Sequence, residues 1–84
     1  MNYYYITFRS ITGAQRAVKI FERAGITSRL LRTPKNLITD GCSYSVRIHE
    51  SRIKQVVNLM REAGLRYNKV FLMYADGSNM EVRL

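Results

Sequence analysis

Apolar residues recur along this chain in two rhythms. Ala14, Ala17, Val18, Phe21 and Ala24 are spaced by three and four positions, and Ile53, Val56, Val57, Met60 and Ala63 repeat that spacing. Each set draws one stripe along a helix of 3.6 residues per turn. The remaining faces carry Arg16, Lys19, Arg23, Arg52, Lys54 and Arg61, with Glu22 and Glu62 among them. Thr12 followed three residues later by Gln15 fits a capping box, which starts the first helix near Gly13. The two helical stretches also end alike. Phe21-Glu22-Arg23-Ala24-Gly25-Ile26 is echoed 39 residues later by Met60-Arg61-Glu62-Ala63-Gly64-Leu65. In both copies the Gly suits the left-handed position that closes a helix.

The second rhythm has a period of two, the signature of strands. From Asn2 to Phe8, Tyr4, Ile6 and Phe8 share one face, and Tyr3, Tyr5 and Thr7 share the other. Thr27 to Thr33 is a second candidate, ended by Pro34. From Cys42 to Ile48, Cys42, Tyr44, Val46 and Ile48 alternate with Ser43, Ser45 and Arg47. Lys69 to Tyr74 makes a fourth strand, and Asp76-Gly77-Ser78-Asn79 reads as a hairpin turn into a fifth, Met80 to Leu84. The order β-α-β-β-α-β, two similar halves plus one terminal strand, predicts an α+β fold. The expected architecture is a ferredoxin-like sandwich, an antiparallel sheet with both helices on one face and an extra C-terminal hairpin strand. Ile6, Phe8, Val18, Phe21, Val46, Ile48, Val57 and Met60 should supply its core.

Composition narrows the function. Eighty-four residues fit one domain, 1–84, with a modest core, and fourteen Lys and Arg against six Asp and Glu leave a net charge of +8. A hydrophobic content of 46% with a single Pro argues against disorder. A lone Cys excludes an internal disulfide framework, and with one His it argues against a closed zinc site. No apolar run approaches the roughly 20 residues that span a bilayer, so no membrane role is expected. Met1 to Ser10 lacks the charged start and apolar centre of a signal peptide, so the expected setting is cytoplasmic. The five glycines are scattered singly and form no phosphate-cradling loop; paired carboxylates and a Ser-His-Asp set are also missing. The expectation is a protein that is not an enzyme and uses no metal or cofactor.

Candidate chemistry gathers at one loop. Pro34 to Gly41 is the irregular stretch, with Pro34, Asn36, Asp40 and Gly41 as turn formers, and Cys42 stands at its end. Two readings of Cys42 are open. In phase with Tyr44, Val46 and Ile48, it packs as a small hydrophobe. At the mouth of the loop, after a Gly that lets a partner approach and near Lys35 and Arg47, it is a nucleophilic or carrier thiol. His49 is not its base, because seven residues along a strand separate the two by about 23 Å and turn them to opposite faces. His49 instead reads as a solvated or capping residue.

Together these residues resemble a known family. The opening strand, the "ERAGI" helix end, Thr33-Pro34, the Cys-bearing loop and the second helix ending in "REAGL" are similar to small bacterial selenium/sulfur carrier-like domains. The similarity runs from about Tyr4 to Tyr74. The resemblance implies that Cys42 carries sulfur or selenium as a persulfide or perselenide, with Thr33, Pro34, Gly41 and Ser43 framing the loop. It also implies a donor or acceptor protein as partner. Two positions depart from the family pattern. Ser43 follows Cys42 where the family has Gly, and His49 stands where the family's second helix opens on an acidic, Pro-containing turn.

A second class of function competes. A ferredoxin-like sheet with Tyr3 and Tyr5 on its open face, beside Ser43, Ser45 and Arg47, has the layout of an RNA-stacking surface. The net charge supports a phosphate-bearing or acidic protein partner, although the third strand lacks the Gly and aromatic pattern of the usual RNA-binding strand. The same aromatic face would also suit a second copy of the chain in a homodimer. On this alternative the protein is a small basic binding module in which Cys42 only packs.

Overall fold

The β1 strand (Tyr3–Phe8) is the sheet's centre, and its alternation explains why. Ile6 and Phe8 are buried toward the helices, while Tyr5 and Thr7 are buried on the opposite face. A strand buried on both sides needs cover on both sides. The computed structural model describes residues 1–38 and 41–84, and supplies that cover with helices on one face and a loop on the other. After β1 come α1 (Ile11–Arg23), β2 (Ser28–Arg32), β3 (Tyr44–His49), α2 (Ile53–Ala63), β4 (Val70–Met73) and β5 (Asn79–Val82). The strands lie in the order β2-β3-β1-β4-β5, with every neighbouring pair antiparallel. This is the ferredoxin-like α+β arrangement with an added C-terminal strand on β4.

The repeat in the sequence closes both helices by the same bond. The Ile26 N–H donates to the Phe21 carbonyl at 2.9 Å, and the Leu65 N–H donates to the Met60 carbonyl at 2.9 Å. Gly25 and Gly64 take positive φ values of 75° and 60°, a conformation costly for residues with a Cβ. The start of α1 differs from the expected capping box. Ser10 is the N-cap, its hydroxyl accepting the Gly13 N–H at 3.2 Å, and Thr12 lies inside the helix. Both residues can cap. Ser10 prevails because the extended chain leaving β1 brings its hydroxyl over the first turn.

The core follows the stripes with one adjustment. Ile6, Phe8, Phe21, Val46, Ile48 and Met60 are buried between sheet and helices, as expected, joined by Ala14, Ala17 and Val56. Val18 and Val57 are half-buried at its margin instead. In α2 the buried stripe runs through Val56 and Met60, four residues apart, and Val57 is turned off that line.

The β4–β5 hairpin is held by Asp76, whose carboxylate accepts from the Ser78 N–H at 2.9 Å and the Ser78 hydroxyl at 2.6 Å. These bonds stabilise the charged form and hold the Asp76 carboxyl below its ordinary value. A depressed carboxylate gives stability that is present above the unfolded value and is lost as pH falls through the folded one. Acidification below that point should release the Ser78 amide, which will be seen as a titrating Ser78 N–H resonance that Asp76→Asn removes.

Candidate carrier site around Cys42

The site begins where β2 ends. Thr33 is buried, and its backbone N–H donates to the Ser43 carbonyl at 2.8 Å, tying the two ends of the loop together. Its hydroxyl meets the buried Ser45 hydroxyl at 2.6 Å, so both polar groups satisfy each other beneath the surface. Pro34 then sets an extended backbone that turns into a short 3₁₀ segment, Lys35–Leu37, closed by the Leu37 N–H on the Pro34 carbonyl at 2.8 Å. That turn aims Leu37 back at the sheet. Leu37 is 0% exposed and packs with Tyr5 and Phe71, with Tyr3, Leu31 and Met73 around them.

Two consequences follow for the residues singled out in the sequence. First, the sheet face opposite the helices is not bare. Tyr5 lies under Leu37 and Phe71, so base stacking there would require the loop to lift. Where residue order predicts an open face for RNA or a second copy, the chain's own Leu37 covers Tyr5, because Leu37 is apolar and sits one 3₁₀ turn from Pro34. Secondly, Tyr3 remains half-buried at the margin with its ring already engaged. The Arg47 guanidinium lies 4.5 Å from its centroid, and His49 meets it edge-on at 5.7 Å.

Cys42 is 0% exposed and precedes β3 by two residues. It is a buried residue between two exposed ones, Gly41 and Ser43. Gly41 has a φ of +74°, and a Cβ built on it would meet no atom within 4 Å, so backbone conformation rather than space favours Gly there. The Ser43 hydroxyl reaches back to the Gly41 carbonyl at 3.5 Å. Thr33, Pro34, Gly41 and Ser43 thus flank the mouth of the loop with Cys42. Of the other turn formers, Asn36 is exposed in the 3₁₀ segment, and Asp40 lies outside the described residues together with Thr39. Lys35 is exposed, whereas Arg47 stands five residues along from Cys42, about 16 Å at strand rise, and is spent on Tyr3.

His49 caps the turn Glu50–Arg52 that leads into α2. Its Nδ1 accepts the Ser51 N–H at 3.1 Å and meets the Ser51 hydroxyl at 2.8 Å. A ring nitrogen here does the work usually done by Ser or Asp, which accounts for a His at a helix start. Among the described residues, no group of three or more His, Cys, Asp or Glu is placed to hold a metal. Nor is any helix among the described residues long and apolar enough to cross a membrane.

Sequence reasoning missed Leu37 and Phe71. The signal was present in Leu37-Ile38, an apolar pair inside a loop of turn formers, and in Phe71, which shares a strand face with Met73.

None of the curated proteins matches this chain. The family model described as "Putative Se/S carrier protein-like" matches residues 3–72, from the first residue of β1 to one short of the end of β4. That span takes in both β-α-β halves, the Leu37 loop and Cys42, and so the chain belongs to the Se/S carrier-like family.

Proposed function

We propose that the protein is a stoichiometric carrier of sulfur, or of selenium in the same oxidation state, on the Cys42 thiol. The observation that supports this most directly is the position of the chain's one thiol. It stands at the mouth of the loop, between exposed Gly41 and Ser43, in a chain of the carrier-like family. In the loading step the Cys42 thiolate attacks the terminal sulfur of a donor protein's persulfide. A new S–S bond forms at Cys42, the donor's own S–S bond breaks, and the donor leaves as a thiolate. Delivery is the same exchange run toward an acceptor thiolate. No net oxidant is required, and neither step turns over a substrate, so the protein acts as a carrier and not as an enzyme.

Burial of Cys42 fits this role. Burial keeps the thiol from solvent oxidants and from glutathione between transfers, and a reducing cytoplasm is where a single unpaired thiol suits the chemistry. The carrier reading requires the loop to open when the partner docks. Incubation with a cysteine desulfurase and cysteine, followed by intact-mass measurement, should show a gain of one sulfur atom. Reductant should reverse it, and Cys42→Ser should abolish it. Selenocysteine in place of cysteine, which leaves the donor carrying a terminal selenium as a perselenide that exchanges in the same way, decides between sulfur and selenium. Failure to load with either amino acid would overturn the proposal and leave Cys42 a packing residue in a basic module that binds RNA or an acidic protein.

A further inference from the structure

One concavity of the molecule is lined by three arginines and no acid. It has a volume of about 530 Å³ and lies where the end of β1, the start of α1, the end of α2 and the start of β4 meet. Its walls include Arg9, Arg16 and Arg66, with Ser10, Tyr67 and Asn68 between them. The size falls within the roughly 300–1,000 Å³ typical of ligand clefts.

Three observations bear on its occupant. The guanidiniums have no carboxylate partner: among the described residues the one ion pair is Lys69 with Glu81, at 3.6 Å. Three like charges around one hollow repel each other, and an anion there would remove the repulsion. Asn68, which lines the cleft in part, has its Nδ2 buried without a hydrogen-bond partner, a donor that does not compete with an anion for the arginines. Finally, Tyr67 is 38% exposed, which leaves a large aromatic side chain available beside the charges. The α2 end contributes carbonyls, but they bring only partial charge against three formal positive ones.

We propose that this cleft binds a nucleotide, with its phosphate on Arg9, Arg16 and Arg66 and its base on the Tyr67 ring. Arginine's planar fork suits phosphate oxygens, and an exposed tyrosine is a stacking platform for any base. The unit is either a free nucleotide or one residue of an RNA strand; both present the same phosphate and base. The cleft opens at the same end of the sheet as the candidate thiol. Phe8 in the cleft wall pairs with Tyr44, and Tyr44 follows Cys42 by two residues. A nucleotide held there would lie close to the mouth of the Leu37 loop.

The test uses the Cys42→Ser chain, so that its result is independent of sulfur loading. Amide NMR titrations with AMP and with an eight-residue uridine RNA should move the resonances of Arg9, Gly13, Arg66 and Tyr67. Saturation by AMP assigns the free nucleotide, and saturation by RNA alone assigns the strand; either supports the cleft. The double variant Arg16→Gln/Arg66→Gln should weaken binding by about a hundredfold, the order expected for two lost charge-assisted hydrogen bonds. Lys19→Gln/Lys54→Gln, which removes the same charge from exposed helix positions, should change it by less than about threefold. Tyr67→Leu should weaken the nucleotide and spare inorganic phosphate. The proposal is overturned by shifts scattered over the helix surfaces, by equal losses in the two double variants, or by absence of saturable binding with both probes.

Discussion

Leu37→Ala should accelerate the alkylation of Cys42 in the folded protein by at least about thirtyfold, the factor for a loss of about 2 kcal/mol. The thiol is 0% exposed, so a reagent reaches it only after the chain around it opens. The rate is then the intrinsic thiol rate scaled by the open fraction, when opening and closing are fast. Leu37 is the loop's fully buried apolar anchor, wedged on Tyr5 and Phe71. Truncating a buried Leu costs about 2–5 kcal/mol, and because this one belongs to a loop, its loss falls mainly on local opening. The Thr33–Ser43 backbone bond and the Thr33–Ser45 hydroxyl pair remain, so the ends of the loop should stay in place while its centre lifts.

The measurement pairs alkylation by iodoacetamide across a pH series with denaturant unfolding of the same samples. Local opening predicts an acceleration well beyond the change in global stability. A rate that only follows global stability would show that Leu37 is not the latch over Cys42. The same variant bears on the carrier reading, since a thiol that the Leu37 loop guards should load faster from a persulfide donor once the guard is weakened.

The Leu37 loop illustrates what could be read from residue order and what could not. The two halves were legible because each element states its own period: the 3–4 spacing of Ala17, Phe21 and Ala24 needs no neighbour to be interpreted. Gly25 and Gly64 were legible for the same reason, since a helix end has a local chemistry. Cys42 was legible as a position but not as an environment. Its alternation with Tyr44 and Val46 implied burial, and Gly41 beside it implied access; the structure buries it between exposed neighbours. The cover over Tyr5 was not legible, because it comes from Leu37, thirty-two residues away, through a loop that carries no periodicity. The arginine cleft escaped for a related reason. Arg9 follows β1, Arg16 lies in α1 and Arg66 follows α2, and only the sheet pairing that sets β4 beside β1 brings them to one hollow.

Phe21→Ala should bring the largest loss of stability, about 3–5 kcal/mol, with a midpoint for urea unfolding that falls accordingly. A domain of this size holds roughly 4–13 kcal/mol in all, at about 0.05–0.15 kcal/mol per residue. Phe21 is 0% exposed in the cluster that joins α1 to the sheet, and α1 contacts β1, β2, β3 and α2. Ala is the best helix former, and the Phe21 carbonyl that closes the helix through Ala24 and Ile26 is kept. The cost is therefore a cavity cost and not a helix cost. Met60, its counterpart in the second half, offers the contrast. At 3% exposed it fills the same layer with an unbranched side chain, and Met60→Leu should cost less than about 1.5 kcal/mol, as volume-conserving swaps do. If Phe21→Ala cost no more than Met60→Leu, the core could not be centred on the first half's Phe. Cys42 separates the two kinds of loss, because in Phe21→Ala its alkylation should rise only in step with global unfolding, unlike the local release expected in Leu37→Ala.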